Sequence, residues 1–348
     1  MTAPYRTVLV GCGPRGRQHA LGLRACGSRF ALTALCDVDE RRLSSLAEEL
    51  GGVRRYANAD AMLAAEAPDV LCFATPPVVR LPLVQLGVAN GVRAIAMEKP
   101  LAPSLTEAAR IVDLCAAAGV KGVVCHQLRH AAHWQRAREI IERGDIGEVR
   151  AVHATGRPSM LRVGTHLVDC ALWLAGAGRA RWVVGHAAGT TSYEDDHPCP
   201  DHLAGMAALE GEIRLLLEVG TLAPRELDEA GFWGDVAVTV QGTEGWVRVV
   251  LGAGWSAAAR NSSGRVEGGP ADPSPQEKRH LALLADWLDD PERAHPCELV
   301  RSYHGLEILM GMALSALERR RVDLPIAPVP EAILERLRAV LPVGAAAP

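Results

Sequence analysis

Residues 160–169 read MLRVGTHLVD and hold three side chains able to do chemistry. His166 and Asp169 stand three apart, a spacing that puts both on one helix face, where they can converge on one pocket. Histidine exchanges a proton near neutral pH, and a carboxylate beside it can orient it or accept its proton. Arg162, four residues before the histidine, is no acceptor. Its guanidinium stays protonated and only donates, in a planar fork that fits a carboxylate or phosphate. Structural roles compete with this chemistry: with Thr165 as N-cap, Asp169 would complement the helix dipole and His166 would cap or fill space.

A second stretch, Gly11-Cys12-Gly13-Pro14-Arg15-Gly16, matches G-x-G-x-x-G after an apolar run and before a helical one. The first glycine permits a tight turn, the second lets backbone approach a pyrophosphate, and the third lets helix pack on strand. Pro14 and Arg15, inside the motif, count with its glycines as cofactor contacts. The helix N-terminus offers N–H groups and a positive dipole end to phosphates. Asp37 ends the next apolar run, ALTALCD, and would bond the ribose hydroxyls while repelling a 2′-phosphate. NAD is therefore expected ahead of NADP, a preference that Arg41 and Arg42 weaken slightly.

The elements that must position these groups follow from periodicity. TVLVGCG, ALTALCD, VRRYA, DVLCFA, RAIAME and KGVVCH read as strands separated by helical patterns, which predicts a parallel sheet covered on both faces. After HWQRAREIIERG the rhythm changes, and strand patterns crowd together between residues 180 and 260. The fold class expected is an α/β Rossmann domain over 1–125, then an α+β domain over 126–348 with a mainly antiparallel open sheet. GTEG at 242–245 reads as a hairpin turn, and NSSGRVEGGPADPSP as a mobile loop before two long helices.

Composition bounds the function classes. The 348 residues are 49% hydrophobic with a net charge of -4, which suits two domains with sizeable cores and points away from nucleic acid and acidic membranes. Nine singly scattered cysteines without C-x-x-C suit buried thiols in a reducing compartment, and MTAPYR leaves no room for a leader, so a cytoplasmic protein is expected. No apolar stretch has the length of a membrane span.

Together with GCGPRGRQHA, the stretches Glu98-Lys99-Pro100, Gly147-Glu148-Val149, GTHLVD at 164–169 and the V-x-G-x-E-G pattern at 240–245 resemble the Gfo/Idh/MocA family of NAD(P)-dependent oxidoreductases. The resemblance implies a Rossmann domain followed by a sheet domain that holds substrate and builds homodimers or homotetramers. The substrates it implies are sugars, inositols and their derivatives, oxidised or reduced at a carbinol carbon. Glu98 and Lys99 would then stand by the cofactor, with the lysine also at the substrate oxygen. Thr75, Pro76 and Pro77 would line the cofactor, and His166 would be the acid/base. Oxidising an alcohol releases its hydroxyl proton as hydride leaves the carbon, so a base must be in reach, and a lysine ammonium stabilises charge on oxygen.

The chain departs from its family at one place. Where D-x-G-x-H is common, it has Arg162 in R-V-G-T-H. Three consequences stay open: an anionic substrate, catalysis resting on Lys99 and His166 with Asp169 or another group substituting, or loss of the redox activity. An NAD-using glycosidase and a catalytically lost sugar- and NAD-binding regulator are the alternative functions. Arg129 and His130 are further substrate-binding candidates. No metal site is expected; the loop Glu194–His202 gathers possible ligands at no recognised spacing. His19 and Tyr303 read as packing residues and His304 as solvated or interdomain.

Overall fold

The alternating pattern of the first half becomes strands β1 (Tyr5–Val10), β2 (Phe30–Cys36), β3 (Arg54–Tyr56), β4 (Val70–Phe73), β5 (Ala94–Met97) and β6 (Lys121–Val124). Between them run helices α1 (Pro14–Ala25), α2 (Glu40–Glu49), α3 (Ala59–Glu66), α4 (Arg80–Ala89) and α5 (Leu105–Ala117). The computed structural model describes residues 3–190, 199–263 and 265–342. All six strands pair in parallel, in the order β3-β2-β1-β4-β5-β6. Every residue of β4 and β5 is buried, as a strand covered on both faces requires. Asp39 and Asn58 cap α2 and α3 through main-chain N–H groups, so each helix starts where its cap residue stands. The strand order reverses between β1 and β4, and the loops leaving the carboxyl ends there form the crevice where this topology takes ligands.

The second half continues with α6 (Ala132–Glu142), β7 (Val149–Gly156), α7 (Thr165–Ala175), β8 (Ala180–Ala188), β9 (His202–Leu209) and β10 (Arg214–Gly220). Strands β11 (Val236–Gly242), β12 (Trp246–Val250), β13 (Gly254–Ala258) and β14 (Glu267–Pro270) follow, then α8 (Glu277–Asp289), α9 (Leu299–Glu318), β15 (Val322–Asp323) and α10 (Ile333–Val340). The second sheet runs β14-β13-β12-β11-β7-β10-β9-β8-β15, antiparallel at every step except β7 with β10. Its strands alternate as a one-sided sheet must: Leu215 and Leu217 are buried, while Arg214 and Leu216, each one residue before them, are exposed. Helix α7 lies on the buried face against β7 and β11. The GTEG turn is a hairpin closed by Gly242 N donating to Gly245 O at 2.8 Å. The glycine-rich segment read as a loop departs from expectation, because Glu267–Pro270 pairs with β13 at the sheet edge. EGGP has no apolar alternation, so only the edge it meets makes it a strand.

By contacts the chain divides into two units. One holds the described residues of Met1–Pro103, Glu107–Gln127 and Pro275–Tyr303, and the other those of Ser104–Thr106, Leu128–Ser274 and His304–Pro348. A division at residue 125 misses the return of 275–303 to the first unit. The reason is packing: Leu281, Leu284 and Leu288 of α8 share a core with Leu9, Leu23 and Leu35. Helix α1 admits α8 at Gly22, where a Cβ would lie 2.8 Å from Glu277 Cβ. No helix among the described residues is long and apolar enough to cross a membrane.

Candidate functional site

In the first unit, Gly11 sits at φ +92°, where side chains are rarely tolerated, and a Cβ there would lie 2.5 Å from Ala74 O. A Cβ on Gly16 would lie 1.8 Å from Gly11 O, so these two glycines are required by the protein's own backbone. Gly13 differs. A Cβ on it would meet nothing nearer than Arg42 Nη1 at 4.0 Å, and α1 begins beside it without a side-chain cap. Open space over bare helical N–H groups suits a phosphate group.

This turn borders a cavity of about 580 Å3, whose lining includes Gly11, Gly13, Asp37, Thr75 and Pro76. Thr75 Oγ1 is buried with no hydrogen-bond partner among the described residues, a polar atom left for a ligand. Val38, 95% exposed, and Val79 add apolar wall that the sequence did not single out. Pro77 is buried and starts the short 3-10 turn Pro77–Val79 instead. Asp37 accepts from Cys12 N at 2.6 Å and from Asp39 N at 2.8 Å, so its carboxylate ties the end of β2 to the glycine turn. Donor set, open glycine and orphaned hydroxyl together fit a dinucleotide. Asp37→Ser is expected to weaken NAD and favour NADP relatively, shifting the ratio of their dissociation constants about tenfold or more. Calorimetric titration with both nucleotides measures it; an unchanged ratio would remove Asp37 from cofactor selection.

Arg15 points away from an open phosphate role. Its Nε and Nη2 lie 2.9 and 2.7 Å from Glu98 Oε1, and Nη2 also donates to Glu277 at 2.9 Å. Glu98, 4% exposed, further accepts from Lys99 N at 3.2 Å and lies 3.1 Å from His19 Nε2. Burial pushes the Glu98 pKa up, but the His19 hydrogen bond and the charges of Arg15, His19 and Lys99 outweigh it and hold it well below the carboxylate range. Burial likewise works against charge on His19, yet Cys72 and Cys125 hold its pKa well above the histidine range. His19 is thus packed as expected, but as part of a charged network that the sequence reading missed. His19, Glu98 and Cys125 could together ligate a metal. The guanidinium already on Glu98 opposes a cation there.

In the second unit the opening motif has an unexpected form. Met160–Gly164 is a π-helical turn that runs straight into α7, which ends at Gly176 in the left-handed region. Thr165 therefore does not act as the N-cap: it has helical φ/ψ, and its hydroxyl is buried without a hydrogen-bond partner among the described residues. His166 is 5% exposed and lies on the run that carries Arg162 and Asp169. The Asp169 carboxylate meets the Arg129 fork, with Nε to Oδ2 at 2.9 Å and Nη2 to Oδ1 at 2.5 Å. Arg129 also lies 5.3 Å over the Trp173 ring. Two residues assigned to catalysis and substrate thus hold each other, a geometry that braces the helix face next to His166. His130, half-buried, ends the short turn Gln127–His130.

Arg162 stands 5.3 Å over the ring of Trp233, which is 59% exposed and meets Phe232 edge-on at 5.3 Å. Asp235, 1% exposed, anchors this segment by accepting from Glu226 N and Leu227 N. No sequence signal linked Trp233 to Arg162. His304 corrects its expectation: it is buried, accepts from Ala180 N at 2.8 Å and lies 2.9 Å from Glu307. Of the loop Glu194–His202, residues 194–198 lie outside the described residues; His202 is buried, 3.2 Å from Glu218.

Comparison with known proteins gives two family models. Residues 5–126 match the oxidoreductase family with NAD-binding Rossmann fold, and residues 134–248 match the GFO/IDH/MocA C-terminal domain. A D-apiose dehydrogenase of Paraburkholderia graminis is 32% identical over 193 residues, covering 49% of this chain and 50% of that protein. Inositol 2-dehydrogenase 3 of Saccharopolyspora erythraea is 28% identical over 153 residues, covering 44% and 45%. The chain thus spans about half the length of the curated relatives it matches. An oxidoreductase of Agrobacterium radiobacter, solved with NAD+, L-tartaric acid and magnesium, shares the fold at a TM-score of 0.78 and 19% identity, over 92% of this chain and 98% of that one. With its glycine cradle, E-K-P strand end and one-sided second sheet, the chain belongs to the Gfo/Idh/MocA family of oxidoreductases.

Proposed function

We propose that this protein is an NAD-dependent dehydrogenase or reductase acting at a carbinol or carbonyl carbon of a sugar-like or cyclitol-like substrate that carries an anionic group. The observation carrying the redox reading is that E-K-P ends the strand adjacent to β4, whose following loop bears Thr75 in the wall of the dinucleotide-shaped cavity. The names of the apiose and inositol relatives support the substrate class. Nicotinamide, when bound, supplies a hydride acceptor or donor. Gly11, Gly13, Asp37 and Thr75 would hold the dinucleotide. His166 takes the hydroxyl proton in oxidation and returns it in reduction, and Lys99 offers an ammonium that stabilises negative charge on a reacting oxygen. Asp169 acts through its bond to Arg129, by bracing the helix that carries His166.

For the anionic group, support comes from Arg162 stacked on a half-exposed indole, a geometry that holds the guanidinium plane rigid for a two-toothed acid. A panel of neutral polyols and their carboxylate and phosphate derivatives, followed by NADH absorbance, tests both layers. Turnover of the acids is expected, with Arg162→Ala raising KM for them roughly 10–100-fold and leaving any neutral substrate unchanged. Equal loss for acids and neutral polyols would remove the anionic reading. Sugar release from glycosides without net NADH would replace the dehydrogenase by a glycosidase. The same reading carries a reducing compartment and a homodimer or homotetramer, supported by cysteines that are mostly buried and by the row Val184, Met206, Leu216 and His153 across the second sheet.

A further inference from the structure

Strands β4 and β5 run parallel, and beyond their ladder Glu98 N still donates to Phe73 O at 3.1 Å. Past that bond the chain enters two loops, one with Thr75 and the other with Lys99. The main-chain oxygens of these two residues are both acceptors, which cannot pair with each other, so a link between the loops at this point needs a donor shared by both. Arg80, the first residue of α4, is that donor. Its Nη2 gives hydrogen bonds to Thr75 O at 3.1 Å and to Lys99 O at 3.0 Å, which uses both protons of that nitrogen.

The side chain is an unusual way to fill the position. Arg80 is 2% exposed, and its Nε and Nη1 have no hydrogen-bond partner among the described residues. Burial draws its pKa down to about 10, with Glu98 opposing. An apolar side chain of similar volume would fill such a site at lower desolvation cost. What an apolar chain lacks is the pair of donors that holds two carbonyls at a set separation.

We infer that Arg80 is a positioning residue: it locks the loop bearing Thr75 to the loop bearing Lys99 and so sets where the lysine stands relative to the cofactor cradle. This rests on the reading of Lys99 as the charged partner of the reacting oxygen, and adds what holds that lysine. Displacing its main chain by about 1 Å would carry the amine with it, enough to cost around two orders of magnitude in rate.

The test uses the full chain with Arg80→Met and Arg80→Lys. Peptide-resolved amide hydrogen exchange, calorimetric NAD titration and steady-state kinetics are measured for each. In Arg80→Met, exchange over 74–79 and 98–102 is expected to quicken about tenfold or more while β1, β4 and β5 keep their protection and Tm stays within about 4 °C. The kcat should fall about 30-fold or more with KM for the alcohol within roughly threefold, and NAD should bind within about tenfold of the parent. Arg80→Lys, which keeps a charged donor, should recover part of both kcat and loop protection. Unchanged loop exchange and kcat would overturn the inference, as would loss of protection spread over the whole first unit. If the parent turns over no polyol or acid, the proposed activity fails by itself, and the exchange measurement still decides whether Arg80 holds the two loops.

Discussion

Replacing Lys99 with methionine is expected to lower kcat by roughly two to four orders of magnitude while NAD binds within about threefold of the parent. The lysine stands at the carboxyl end of β5, with its N–H bonded to Glu98 and its carbonyl to Arg80, so the substitution removes an ammonium without disturbing what holds the main chain. His166→Asn should lower kcat by a similar factor, since asparagine keeps the approximate shape and cannot exchange a proton. If each single variant kept its turnover of a substrate identified on the polyol panel, both assignments would fall. Rapid-quench single turnovers separate an effect on chemistry from one on nucleotide release.

The second large effect concerns Glu98. Its carboxylate is buried beside Arg15 and His19, and Glu98→Gln leaves the buried His19 short of its counter-charge, while the part-exposed Arg15 keeps Glu277. Removing one member of such a network typically costs about 3–5 kcal/mol, which corresponds to about 10 °C or more in Tm for a unit of this size. The pH dependence has two arms. The folded Glu98 pKa lies below its unfolded value near 4.3, so its contribution is complete above that value and is lost as pH falls through the folded pKa. The folded His19 pKa lies above its unfolded value near 6.5, so its contribution is complete below 6.5 and is lost as pH rises through the folded pKa. The His19 arm, raised by Cys72 and Cys125, is common to both proteins, so the stability gap between parent and Glu98→Gln should be full above about pH 4.5 and narrow as pH falls toward the folded Glu98 pKa. Scanning calorimetry across about pH 2.5 to 9 measures the gap. A gap constant with pH would show that Glu98 matters for packing and not for charge.

Features written in consecutive residues were legible before any coordinates. The glycine turn, the strand-helix alternation that makes the parallel sheet, the E-K-P strand end and the helix ending at Gly176 each follow from local backbone preference and hydrophobic period. Their reading held because parallel strands are apolar throughout and tight turns demand glycine whatever surrounds them. Where a local signal was weak, neighbours decided. EGGP became an edge strand because β13 offered it a ladder, and Thr165 lost its cap role because a π turn runs into its helix without a break.

The partners of charged side chains were decided by tertiary structure alone. Asp169 is held by Arg129, 40 residues away, and Arg15 joins Glu98 and Glu277, 83 and 262 residues away. Arg80, which no motif singled out, bridges two loops, and Arg162 meets an indole that no spacing connected to it. The physical reason is that a charge is satisfied by whatever donor or acceptor the fold brings within about 3 Å, and that depends on the packing of distant elements, not on local period. The sequence by itself determined the family and the glycine cradle and pointed to the groups proposed as reactive. The folded chain determined which charged groups are bound to one another, because only packing brings donor and acceptor from distant elements within reach.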